Sequence, residues 1–483
     1  MLFRSKWLLS SEWAEYLIGI HVAAGGTEEW FYHPAQRNDV NPARAEAFRK
    51  WLIKKYNGDI AALRNSWQDD NVTFTGALPG NINEPALNRW RDPVKEQKII
   101  DTYRFHSETL VENIEYFCGI VKETSSGTLL TGAFYGYHYY VTDPRMGHGA
   151  LSKLLECKDL DYLSSPNTYN RVIGEDWPPM VAIKSVQLHG KLWLAENDTR
   201  TSITTLLKDR APGIAPARQY ESGVWLGPED METSVSFLWK NAGRMLSYGY
   251  GGWWFDMWGG WFSDPRLLDV LERSKDMYSS FPQDDGEKMH PEVGIICDEE
   301  LCFLDASYGP LTEQILSNRY PLGKTGAPYD LYLRTDIKNI PPDKYKVIWL
   351  LGFPGITDDE SDQVIKWLQK GITVITTNSD GTSINGAGEK VFIKDKISWT
   401  DSQLRNVFGN AGVHIYSDAG DVLCAGRNWI CIHTVAGGPR TIRLPFMAKI
   451  TDAVSNKILS RKTDNVRIDI NSKSTILLRI DPL

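Results

Sequence analysis

Along the first 280 residues, short apolar runs that break into polar or aromatic tips alternate with stretches of helical spacing. Residues 15–26 hold Leu17, Ile18, Ile20, Val22, Ala23 and Ala24 and close on Gly25-Gly26; Thr27, Glu28, Glu29, Trp30, Phe31 and Tyr32 follow at once. A run of this kind reads as a buried parallel strand leaving its sheet. The pattern recurs at 128–135, ahead of Gly136, Tyr137 and His138, and at 162–164, ahead of Asn167 and Tyr169. It appears again at 192–195, which delivers Glu196 into Asn197, Asp198, Thr199 and Arg200, and at 251–258, with Trp253, Trp254, Asp256 and Trp258. Between these runs, Asn41-Pro42 opens a helix with a cap residue and a proline at the first helical position. Its stripe of Phe48, Trp51, Leu52 and Tyr56 has helical spacing, and Gly58-Asp59 stops it and caps a shorter helix through Trp67. Further helices are expected at about 93–123 and at 151–155, 181–188, 233–246 and 265–278. The alternation predicts βα units around a parallel sheet, with five strands carrying their polar and aromatic residues at the carboxyl end. In an α/β barrel that rim is where chemistry sits.

Past a stretch rich in Pro, Asp and Gly at 281–291, strands are expected at 293–297, 347–353 and 372–377, with an amphipathic helix at 358–369. From Asp421 the runs at 429–434, 441–444, 466–470 and 475–480 alternate as antiparallel strands do. The expected organisation is a (β/α) barrel domain over 1–285, an α/β domain over 292–416 and an all-β domain over 417–483.

A chain of 483 residues suits two to four domains, and 42% hydrophobic with 24% charged residues is a globular composition. A formal net charge of −8 argues against nucleic acid or an anionic membrane as partner. No apolar run reaches the ~18 residues of a membrane span. The amino-terminal Met1-Leu2-Phe3-Arg4 has no signal-peptide character, and compartment stays open. Six cysteines (118, 157, 297, 302, 424, 431) form no CxxC, so buried thiols are expected and no metal. His138 and His148 likewise lack a second ligand at a metal-like spacing. The 18 tryptophans are the unusual count, and flat rings that stack on sugars are one reason for them.

Glu196, at a strand tip with an amide and a guanidinium beside it, is a candidate nucleophile; the plain alternative is a salt bridge to Arg200. A second carboxylate, Glu28 or Glu29, ends the first strand three strands away. Two carboxylates at two strand ends are what retaining glycosidases use, roughly 5–5.5 Å apart.

The segment from Tyr16 to Tyr32 resembles the fourth-strand segment of clan A glycoside hydrolases, in particular relatives of the family 42 β-galactosidases. Residues 41–67, with Phe48-Arg49-Lys50-Trp51-Leu52 and Leu63-Arg64-Asn65-Ser66-Trp67, are similar to the helical insertion those enzymes carry. Residues 194–200 resemble their seventh strand and nucleophile, and Trp253–Met257 their eighth. The unit at 293–416 is similar to the domain that mediates trimers in that family, and the terminal β-module has its counterpart. The resemblance implies a (β/α)8 barrel, here strands four to eight, and a retaining mechanism on a terminal β-linked sugar, galactose first, with no cofactor. It implies Glu196 as nucleophile and Glu29 as acid/base, with Glu28 competing for the second role. Many clan members place Asn before the acid/base, where this chain has Glu28 or Thr27. Tyr169 or Tyr137 could donate to Glu196. Asn167 and Asn197 could bind hydroxyls or simply make turns, while Trp253, Trp254 and Trp258 could form a sugar platform. Asp256 and Arg200 could pair with each other.

Three strands would have to precede the first one, and only 15 residues stand before Tyr16. A truncated barrel is therefore expected, with poor stability or association. A catalytically silent carbohydrate-binding or assembly protein is the competing reading. An amidotransferase-like role for the second unit is disfavoured, because Cys297 and Cys302 lack a sharp Gly-flanked turn.

Overall fold

A computed structural model gives the architecture. It describes the chain apart from residues 1, 26, 32–40, 89, 138–142, 170, 215–217, 219, 281–287, 305, 307–316, 342, 354–355, 379–390 and 394–398. Gly26, Tyr32, His138 and most of the expected hinge therefore lie outside the described residues.

The first five strands are β1 (Gly19–Val22), β2 (Leu130–Phe134), β3 (Tyr162–Pro166), β4 (Leu192–Asn197) and β5 (Gly251–Trp254). All pair in parallel, in the order β1-β2-β3-β4-β5. This is the five-strand portion of a (β/α)8 barrel that the sequence pattern predicts. On β4, Trp193 and Ala195 sit in the core beneath the helices, so Leu192, Leu194 and Glu196 take the opposite, inner face. Gly132 of β2 is needed there, because a Cβ would stand 2.1 Å from the Tyr162 ring. Among the described residues, β1 and β5 pair on one side only. Ile18, Leu130 and Leu192 near these edges are 79%, 40% and 56% exposed.

The helix Gln97–Thr124 lays Ile100, Tyr103, Leu110, Val111, Ile114 and Val121 on this sheet. It starts later than expected from the apolar pattern. Glu96 folds back to accept from the Asp92 amide (2.9 Å) and pairs with Arg91 (2.8 Å), making a turn ahead of the helix.

A second parallel sheet, β10-β9-β8-β6-β7, uses β6 (Val293–Cys297), β7 (Tyr329–Leu333), β8 (Val347–Phe353), β9 (Thr373–Asn378) and β10 (Val391–Ile393). Val293, Ile295, Trp349 and Leu351 share one core with the first sheet's helices. Glu299, just past β6, accepts from the amides of Leu151 (2.6 Å) and Ser152 (2.9 Å), and Arg104 grips Glu300 at 2.5 and 2.8 Å.

The third sheet is antiparallel, β11-β12-β15-β13-β14, from β11 (Val422–Gly426), β12 (Trp429–Thr434), β13 (Gly438–Asp452), β14 (Lys457–Ile470) and β15 (Ser474–Pro482). Its Cys424, Trp429, Cys431 and Leu477 pack on Leu238, Trp239, Ala242 and Leu246 of the helix Met231–Tyr248. All six cysteines are buried and none is in a disulfide.

Candidate active site

Glu196 is the last residue but one of β4 and only 6% exposed. Register places it beside Trp253 of β5 and Pro166 of β3. Burial raises its affinity for a proton, and the charges of Asp198 and Glu29 add to that; Arg171 and Arg200 oppose it. Glu29 therefore lies close enough to act on Glu196 electrostatically, although the two come from strands β1 and β4.

The tip that presents Glu29 is held in an unusual backbone form. Thr27, Glu28 and Trp30 have φ of 57°, 65° and 61°, a left-handed region that side chains beyond Gly avoid. The tip is fixed by the Trp30 amide on Ala24 O (2.8 Å), Trp30 Nε1 on Val22 O (3.0 Å) and His148 Nε2 on Glu29 O (3.1 Å). Burial drops the His148 pKa to about 3, so the ring is neutral: Nε2–H donates to Glu29, and Nδ1 faces the Tyr137 amide at 3.5 Å. Such strain persists only where surrounding contacts impose it, and it gathers at functional sites.

Tyr137 donates to Glu29 Oε1 at 2.6 Å rather than to Glu196, a correction to the sequence expectation. The Thr27 hydroxyl donates to the other oxygen, Oε2. Burial keeps the Tyr137 and Tyr169 phenols well above their ordinary pKa, so both stay protonated donors. Glu28 is exposed, whereas Glu29 is partly buried and holds these partners.

The remaining candidates divide. Asn167 (4% exposed) and Asn197 (1%) face each other at 3.4 Å, and Asn197 also donates to Trp253 O at 3.2 Å and lies near the Met245 sulfur. Asn197 thus braces the strand tips from the helix side, opposite Glu196, because successive side chains alternate. Arg200 does not pair with Asp256. It binds Asp198 (Nη1–Oδ2 2.6 Å) and lies between Trp225 and Trp261, at 4.3 and 4.6 Å from their ring centres. Asp256 instead accepts from the Trp261 amide at 3.1 Å. Trp253 meets Phe134 on the inner face (6.0 Å), Trp254 packs against Phe262 (6.1 Å), and Trp258 lies near-parallel to Trp225 at 6.3 Å. Trp225 had no role in the sequence reading.

Arg171 and Asp198 were given no role either. They belong to the loops that leave the neighbouring strands β3 and β4, and their separation of 27 residues departs from the register offset of 30 (Pro166 with Glu196), so spacing carried no signal for the pair. No metal-binding cluster occurs among the described residues. Burial holds the Cys302 thiol well above its ordinary pKa, which leaves no activated thiolate there.

Residues 16–177 match the glycoside hydrolase family 42 described as beta-galactosidase. Over these residues the chain is similar to the family 42 glycoside hydrolases. A curated relative, beta-galactosidase Pbg of Clostridium perfringens, is 22% identical over 360 residues, covering 70% of this chain and 49% of its own. The chain thus spans about half the length of that relative. Among solved structures, the family 42 β-galactosidase Gan42B of G. stearothermophilus superposes with a TM-score of 0.61 at 12% identity, over 100% of this chain and 81% of its own. The β-galactosidase of Halorubrum lacusprofundi gives 0.62 at 12%, over 99% and 81%. A family 42 exo-carrageenase of Bacteroides ovatus gives 0.54 at 14%, over 92% and 63%. At these identities the superpositions establish the fold.

Proposed function

We propose that this chain carries the catalytic carboxylates of a retaining β-glycosidase, with a terminal β-linked galactoside as the first substrate to test. The observation that carries the reading is the electrostatic coupling of Glu29 and Glu196 across a strand-end site, with Tyr137 and Thr27 fixing Glu29. Ionised Glu196 attacks the anomeric carbon, and the C–O bond to the leaving group breaks as Glu29 delivers its proton to that oxygen. Glu29, now ionised, takes a proton from water, whose oxygen attacks the glycosyl-enzyme and releases Glu196. The cycle begins with Glu29 protonated and Glu196 ionised.

The test is hydrolysis of aryl β-galactosides, with the first-formed anomer read by proton NMR; retention is expected. Glu29→Ala is expected to lose roughly 10²–10⁴-fold in kcat/KM on poor leaving groups and much less on activated ones, which need no proton. Glu28→Ala is expected to stay near wild type. Equal losses on both leaving-group classes, or a larger loss from Glu28→Ala, would reassign the acid/base.

A second reading has its own observation: β1 and β5 are unpaired on one side among the described residues, so five strands alone furnish the described rim. Saturable sugar binding without turnover by the unmutated chain would favour a silent carbohydrate-binding role.

A further inference from the structure

We infer that Arg171 is a positioning residue for this site: its guanidinium joins the tips of β3 and β4 and, through Asp198, fixes the strand end that presents Glu196. The inference rests on the glycosidase reading for its consequence in turnover, and on the geometry alone for its effect on the Glu196 carboxyl.

Every nitrogen of Arg171 is engaged. Nε donates to Thr168 O at 3.1 Å, Nη2 to Asn167 O at 3.1 Å and Nη1 to Asp198 O at 3.1 Å; Nη2 also reaches the Asp198 carboxylate. Two of these carbonyls belong to the loop after β3 and one to the loop after β4, so a single planar cation spans both. The guanidinium also lies 5.4 Å from the ring centre of Tyr169, the rim phenol that senses both Glu29 and Glu196. The second oxygen of Asp198 takes Arg200, whose own guanidinium is clamped between two indoles. The Arg171 and Asp198 side chains are 7% and 3% exposed. An Arg–Asp–Arg chain therefore runs under the rim two residues from Glu196. A lysine has the charge but not the planar fork, and it cannot hold three carbonyls and a carboxylate together.

The groups acting on Glu196 from the elements around it are Asp198 and Arg200 on its own strand end, Arg171 from the β3 tip and Glu29 from the β1 tip. The phenols of Tyr137 and Tyr169 also sense its charge. The two arginines offset the negative charge of Asp198. With Arg171 removed, Asp198 and Glu29 act on Glu196 less opposed, and its carboxyl binds its proton more tightly. Since the nucleophile must be ionised, the ascending limb of the pH profile moves to higher pH.

The experiment compares Arg171→Lys and Arg171→Met in the full chain. Arg171→Met is expected to lower kcat/KM by about 10²-fold, the cost of a small misplacement of reacting groups, and to move the ascending limb upward. Arg171→Lys is expected to keep the limb close to its wild-type position while kcat falls about tenfold with KM little changed. In parallel, the Glu196 carboxyl is titrated by carbon NMR on glutamate-labelled chain, with Glu196→Gln identifying the signal. This reads the effect of Arg171 whether or not the chain turns over substrate. A wild type with no turnover but an Arg171-dependent Glu196 titration would reject the glycosidase reading and keep the positioning role. An Arg171→Lys chain matching wild type in kcat and in that titration would overturn the inference, also where Arg171→Met fails to fold.

Discussion

Glu196→Ala is expected to lower kcat/KM on aryl β-galactosides by about 10⁴-fold or more, the scale on which loss of a nucleophile acts. That ratio corresponds to roughly 5.5 kcal/mol of lost transition-state stabilisation. The size follows from the chemistry: without Glu196 no glycosyl-enzyme forms, and no other carboxylate of the described site is free to replace it on its strand face. Asp198 shares that face but is locked between Arg171 and Arg200. Azide gives the decisive form of the test. In Glu196→Ala it can enter the space the carboxylate leaves, attack from the same side and yield the α-glycosyl azide. In Glu29→Ala it attacks the glycosyl-enzyme from the opposite side and yields the β-glycosyl azide. The reverse pattern of anomers would exchange the two assignments, and wild-type turnover by Glu196→Ala would remove Glu196 from the mechanism.

The strand tips were legible because a buried parallel strand is nearly all apolar, so its end shows as an abrupt polar step. Leu192–Asn197 and its glutamate stood out for this reason. The lateral pairings were not legible, because they depend on which tips face one another. Tyr137 serves Glu29 and not Glu196, and Arg200 serves Asp198 and not Asp256, although every one of these residues was visible as a candidate. The fold shows the same division. β7 escaped the pattern because Asp330 interrupts its apolar run; in the structure that carboxylate is buried and bonded to Tyr345 Oη (2.7 Å) and Lys344 (2.9 Å). A polar residue inside a strand is tolerated when its partners come from the next segment, which periodicity does not register. β13 and β14 were read too short for a related reason. Pro445 ends the apparent strand after Leu444, although Ala448 and Ile450 beyond it are buried, and in β14 Lys457, Arg461 and Lys462 interrupt the apolar positions ahead of Val466.

The largest stability effect is expected at a place remote from the site. Asp176, fully buried, pairs with Arg244 of the helix Met231–Tyr248, itself 4% exposed. One turn earlier on that helix, Lys240 is 2% exposed, donates to Glu175 O and lies 3.8 Å from the Trp177 ring centre. Gly323 packs so closely on Asp176 that a Cβ would stand 2.3 Å from its carboxylate, and Lys324 holds Glu175 at 2.6 Å. The loop at 175–177 thus ties the first sheet to the helix that carries the β-module and to the second α/β unit. Asp176→Ala leaves two buried cations without their countercharge, and a cost of about 3–5 kcal/mol is expected. The cost should also depend on pH. Burial lowers the Lys240 pKa to about 7, against the upward pull of Asp176. Because the folded chain holds that proton less tightly than the unfolded chain, stability contributed through Lys240 rises with pH above about 7. Removing Asp176 deepens the effect, so the variant should be least stable near pH 6 and recover partly toward pH 9. Denaturant midpoints at both pH values read this directly. Asp176→Ala with Arg244→Met should regain part of the loss, since the second change removes one stranded charge. A midpoint for Asp176→Ala within experimental spread of wild type at pH 6 would show that the pair is not what joins these three units.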